Sequence, residues 1–194
     1  MLEAFFASTA VVALAEIGDK TMLLAIVLAA RLRAPVAILL GILVATLANH
    51  ALAALVGSQV AGLIDAPWFR IAVALGFIAM AAWTLVPDKF DDDDDAVTHR
   101  GGAFMTTLVA FFLVEMGDKT QVATIALGAQ YHSVIVVTAG TTLGMMLANA
   151  PAVFLGEKLV QKVSLKLTRT IAALLFLVLG LWQLAEALGW LQAA

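Results

Sequence analysis

Cysteine is absent from the 194-residue chain, which excludes a disulfide framework, a thiolate metal site and a redox dithiol. Charge is scarce as well: Asp, Glu, Lys and Arg make up 13% of the residues, roughly half the share of a soluble domain. Nor is there an excess of positive charge, since 11 Lys and Arg stand against 14 Asp and Glu for a net charge of −3, and this argues against nucleic acid as a partner. The first apolar run lacks a basic flank; it carries Glu3 and neither Lys nor Arg before Lys20, so a cleavable secretion signal is not expected and the first helix should stay. What fills the chain is apolar side chain, 63% of it, with a mean hydropathy of +1.02. A soluble domain of this size cannot hide so much apolar surface, so the composition implies an all-α polytopic membrane protein.

A helix crossing about 30 Å of hydrocarbon at 1.5 Å per residue needs roughly 20 apolar residues. Six stretches qualify: Leu2 to Ala30, Pro35 to Gly57, Trp68 to Val86, Phe104 to Gln130, Ser133 to Gly156 and Thr170 to Trp190. Only one connector is long, the polar segment from Pro87 to Gly102 with its acidic run Asp91 to Asp95. Alternate connectors collect Arg31 and Arg33, Lys89 and Arg100, then Lys158, Lys162, Lys166 and Arg169, while the other side holds Arg70 alone. The bias of Lys and Arg toward the cytoplasm then predicts both termini outside.

A shift of 99 residues superimposes Glu16, Gly18, Asp19, Lys20 and Thr21 on Glu115, Gly117, Asp118, Lys119 and Thr120. The same shift pairs Ser8 with Thr107, Gly41 with Gly140, Arg70 with Arg169, Phe77 with Phe176 and Trp83 with Trp182; one inserted residue then aligns Asn49 with Asn149. Duplication follows, with a first three-helix repeat over residues 1–86, a linker over 87–102 and a second repeat over 103–194. Three crossings per repeat put the second half into the membrane upside down relative to the first, so the repeats are predicted to be inverted.

Six charged motif residues at membrane depth cost about 2.5 to 3.5 kcal/mol each, or about 15 to 20 kcal/mol together, more than a typical folding free energy. They must face one another, water or an ion. On a continuous helix Glu16, Asp19 and Lys20 share a face, and so do their counterparts, so each motif is expected to present one charged stripe toward the other near the midplane. Four carboxylates and two ammoniums leave −2, the charge that one dication cancels. Glu16, Asp19, Glu115 and Asp118, supported by Thr21, Thr120, Gln121, Asn49 and Asn149, offer the hard oxygen ligands that suit Ca²⁺, Mn²⁺ or Mg²⁺. Protons compete for the same oxygens, and cation-for-proton exchange is the mechanism this predicts.

The two copies of Glu-x-Gly-Asp-Lys-Thr resemble the E-x-G-D-[KR]-[TS] signature of an inverted-repeat cation transporter family with Golgi and thylakoid members and a bacterial manganese exporter, within the wider lysine-exporter superfamily. The resemblance covers nearly the whole chain. It implies export of Mn²⁺, or Ca²⁺ in some members, coupled to inward proton movement, with Glu16, Asp19, Glu115 and Asp118 as the acidic motif residues and Lys20 and Lys119 as the basic ones. It implies no enzyme and no tightly bound cofactor; the partners are the metal ion, protons and the bilayer. With no organellar transit segment, a bacterial inner membrane is the expected location.

Lys20 and Lys119 either pair with Glu16 and Glu115 at i+4 to lock packing, or balance the carboxylates when metal is absent. Gly18 and Gly117 either admit a close helix or mark a kink, whereas Gly140 and Gly144 form a GxxxG contact. Asn49 and Asn149 either bridge helices or touch metal, and His50, which faces Ala150 in the alignment, is expected to be a hydrogen-bonded structural residue. Pro151 is expected to kink its helix, the four Trp residues to anchor at the interfaces, and the Asp91 to Asp95 run to be solvated or to collect cations. An intramembrane hydrolase is disfavoured because the GxGD pattern of the aspartyl type is missing, and a purely structural subunit predicts no flux.

Overall fold

Glu16 ends one helix and Asp19 caps the next, so the first apolar stretch is two helices rather than one. The computed structural model describes residues 1–60, 67–86, 102–156 and 165–190. Among these it forms eight helices and no strand: α1 (Leu2–Glu16), α2 (Lys20–Leu32), α3 (Pro35–Val60), α4 (Pro67–Thr84), α5 (Gly102–Glu115), α6 (Lys119–Tyr131), α7 (Val134–Leu155) and α8 (Leu165–Ala187). The Asp91 to Asp95 run, Lys89, Arg100, Lys158 and Lys162 lie outside the described residues.

Both expected long helices, Leu2 to Ala30 and Phe104 to Gln130, are therefore corrected to broken ones. The cause is local. Asp19 N–H bonds back to Glu16 O at 3.0 Å and Asp118 N–H to Glu115 O at 3.1 Å, a tight three-residue closure that ends the helical ladder. Gly18 and Gly117 then take φ of +85° and +82°, which L side chains resist, and Asp19 and Asp118 leave in extended conformation to start the next helix. Apolar composition alone did not reveal the break because the flanking residues are as apolar as a continuous helix requires.

α3, α7 and α8 are each long and apolar enough to cross a membrane by themselves, and α4 and α5 are shorter apolar helices. α1 and α2, with 15 and 13 residues, are too short singly for about 30 Å. The surface fits that reading: Leu2, Val36, Ile135, Phe154, Leu174 and Val178 are exposed, while Glu16, Asp19, Glu115, Asp118 and Lys119 are buried. A protein in water sorts these the other way. Thr9, Thr84, Thr124 and Thr141 each donate to the carbonyl four residues back, the way a hydroxyl is satisfied where water is absent.

α1 packs along α7, α3 against α5, α6 and α7, and α4 along α8. Small residues set two of the contacts that cross between the halves. A Cβ on Gly140 would stand 2.7 Å from Phe5 O and 2.9 Å from Ser8 Cβ, and one on Gly41 2.8 Å from Phe104 O and from Thr107 Cβ. These are the same partners moved by 99 residues. Gly144 likewise meets Thr9 O and Ala13 N, so the GxxxG expectation holds. Phe77 and Phe176, paired by the shift, stack on one another with ring centroids 6.4 Å apart. α7 runs through Pro151 without ending.

Candidate metal centre

The two helix breaks bring carboxylates from both halves to one place. Glu16, Asp19 and Asp118 each offer an oxygen within 4.8 Å of the other two, and all three are buried. Asp19 and Asp118 occupy N-cap positions, yet neither side chain caps its own helix. Both carboxylates lie at the first-turn N–H groups of their helices, where the dipoles of α2 and α6 favour negative charge. Glu16 lies within electrostatic reach of both Glu115 and Asp118.

The threonine of each motif explains how the glutamate is held. Thr21 Oγ1 donates to Glu16 Oε2 and Thr120 Oγ1 to Glu115 Oε1, so the first turn of the second half-helix pins the carboxylate that ends the first. Thr120 Oγ1 also stands 3.5 Å from Asp118 Oδ2. One oxygen of each glutamate, Glu16 Oε1 and Glu115 Oε2, is buried with no hydrogen bond among the described residues. Such oxygens are costly in an apolar interior unless a ligand completes them.

Lys20 corrects the expected stripe. On a continuous helix its ammonium falls beside Glu16, but the break redirects it to Asp118 Oδ1 of the other half, 3.4 Å away, with a quarter of the lysine side chain still exposed. Lys119 Nζ donates to Val86 O at 3.2 Å. The i+4 lock of Lys20 on Glu16 is accordingly replaced by an ion pair between halves.

The supporting polar residues divide. Asn49 Nδ2 donates at 3.0 Å to Phe112 O, a carbonyl near the end of α5 that the helix break leaves without its usual partner. Asn149 Nδ2 turns to Met145 O within its own helix. The amide oxygens of both are buried and make no hydrogen bond among the described residues. Gln121 Oε1 accepts from Gly117 N at 2.6 Å, so this oxygen caps the second break, where Met22 stands in the first half. Gly117 acts as a hinge rather than a contact: a Cβ there would meet nothing within 4 Å.

Two residues gain a place here that their sequence context did not signal. Arg169, a basic flank that the 99-residue shift pairs with Arg70, donates to Gly18 O at 3.4 Å and so reaches the first break. His50 is wholly buried, and neither ring nitrogen makes a hydrogen bond among the described residues. The expected hydrogen-bonded structural histidine is corrected: its Nε2 instead faces Glu115 Oε1 at 3.6 Å, because α3 packs against α5 through small residues at Gly41.

The comparisons with known proteins agree with this chemistry. A family model described as "Divalent cation/proton antiporter GDT1" matches residues 4–92 and 103–190. The chain is 47% identical over 175 residues to a Vibrio cholerae protein named "Putative manganese exporter", covering 90% of this chain and 86% of that one. It is 30% identical to "GDT1-like protein 4" of rice, over 91% of this chain and 71% of that one. "GDT1-like protein 5" of Arabidopsis thaliana is 28% identical over 95% and 96% of the two chains. No solved structure matches.

Proposed function

We propose, on the premise that this chain belongs to the GDT1 family of divalent cation/proton antiporters, that its cargo is Mn²⁺, exported from the cytoplasm in exchange for protons. The name of the Vibrio relative supports manganese. The oxygen-rich donor set also suits Ca²⁺, which is the competing cargo. The observation that carries the reading is the meeting of Glu16, Asp19 and Asp118, from opposite halves, in one buried cluster.

In this reading Glu16, Asp19, Glu115 and Asp118 hold the ion, Thr21 and Thr120 keep the glutamates in place, and Asn49 and Asn149 contribute amide oxygens. Lys20 occupies Asp118 when no metal is bound and yields it on loading, which keeps the empty cluster near the charge it has when filled. On the far side, protons take the carboxylates and the metal leaves. Six crossings arranged as two inverted repeats, residues 1–86 and 103–194 around the linker 87–102, would carry the site to alternate faces of a bacterial inner membrane, with both termini outside. The match of one family model to two segments supports the duplication. The exchanged glycine contacts at Gly41 and Gly140 support a two-fold relation between the halves.

The test is reconstitution in liposomes. An opposed pH gradient should drive Mn²⁺ uptake, and Glu16→Gln or Glu115→Gln should abolish it while the protein still inserts. Flux indifferent to the gradient would remove the proton coupling, and flux in the Gln variants at the wild-type rate would remove the site.

A further inference from the structure

We propose that His50 is a nitrogen ligand of the transported ion and the residue that favours Mn²⁺ over Ca²⁺ and Mg²⁺, an inference that rests on the transport reading above. A wholly buried imidazole ordinarily finds hydrogen-bond partners for its ring. His50 finds none among the described residues, although it sits on a helix whose neighbours are rich in hydroxyls. Its Nε2 points at Glu115 Oε1 from 3.6 Å, too far for a hydrogen bond. That spacing instead suits two ligands of one ion: donors about 2.2 Å from a shared metal and 3.6 Å apart subtend an angle of roughly 110°. Glu115 Oε2, buried and also without a hydrogen bond among the described residues, faces the same need.

The chemistry of the donor separates the candidate ions. Ca²⁺ and Mg²⁺ take oxygen ligands, whereas imidazole nitrogen binds first-row transition ions. A cluster of carboxylates alone does not discriminate Mn²⁺ from Ca²⁺ strongly, and one neutral nitrogen in the set tilts it toward Mn²⁺. The alignment of the halves puts Ala150, which has no donor, opposite His50. The nitrogen is therefore supplied once, on the Glu115 side, and the two halves of the site are chemically unequal.

Mn²⁺ itself is the probe, because pulsed electron paramagnetic resonance detects the ¹⁴N nucleus of an imidazole bound to it. Full-length protein purified without a polyhistidine tag should show nitrogen modulation on bound Mn²⁺. The signal should persist when the other two histidines are replaced, His99→Gln with His132→Gln, and vanish in His50→Gln. In liposomes His50→Gln should lower the ratio of Mn²⁺ to Ca²⁺ transport efficiency at least fivefold. Bound Mn²⁺ without nitrogen coupling in the wild type, or an unchanged ratio in His50→Gln, would overturn the role of His50 and leave the transport reading standing. A wild-type protein that moves neither ion would overturn both. Should His50→Gln fail to fold, the variant lacking the other two histidines still decides by its nitrogen signal.

Discussion

Replacing Lys20 by Gln should tighten Mn²⁺ binding, although the change removes a charge from a site full of charges. The ammonium stands 3.4 Å from Asp118 Oδ1, and at an effective dielectric near 20 such a pair is worth about 5 kcal/mol in Coulomb energy. Because a quarter of the side chain is exposed, water and side-chain entropy return most of that. A remaining quarter, about 1.2 kcal/mol, still changes an equilibrium nearly tenfold. An ion that must displace Lys20 from Asp118 surrenders that amount, and it also meets the repulsion of the ammonium. Lys20→Gln should therefore lower the Mn²⁺ dissociation constant about tenfold and slow turnover, because release becomes harder. Lys20→Arg, which keeps the charge, should bind within about threefold of wild type. Titration of detergent-purified protein with Mn²⁺, read by the loss of the free-ion resonance signal, measures the constant. Weaker binding in Lys20→Gln would refute the exchange of lysine for metal and would make the ion pair between halves a structural contact.

Two further outcomes follow from the packing. Gly117→Ala should cost about 1 to 2 kcal/mol through its φ of +82° alone, with Gly117→Asn milder. Gly140→Leu should cost more, since it forces α7 away from Phe5 O. Thermal unfolding in detergent ranks the three, and equal losses would contradict the distinct roles given to the two glycines. The chain has no cysteine of its own, so Phe77→Cys with Phe176→Cys should be joined by a short bismaleimide, as the stacking of the two rings implies; absence of crosslinking in intact membranes would argue against the packing of α4 on α8.

The charged motifs were legible because rare residues in hydrocarbon are conspicuous and recur 99 positions apart. Their geometry was not. A linear pattern places Lys20 one turn from Glu16, and nothing in it records that Gly18 adopts a positive φ and sends the ammonium to Asp118 instead. Asn49 was visible as a repeated amide, but its partner Phe112 O exists only because a helix 63 residues away is broken. The place of His50 is hidden from the sequence for the same reason: a residue without a counterpart has no repeat signal, and its nearness to Glu115 is a property of how α3 meets α5.

Composition and periodicity thus determined the solvent this chain lives in, the helical class and the presence of buried acid, all of which are sums over local preference or transfer free energy and need no knowledge of neighbours. The pairing of acids across halves, the lysine that answers them and the imbalance introduced by one histidine were decided by tertiary structure. Each depends on distances between segments far apart in the chain, and those distances arise only when the small faces of Gly41, Gly140 and Gly144 let the helices close on one another.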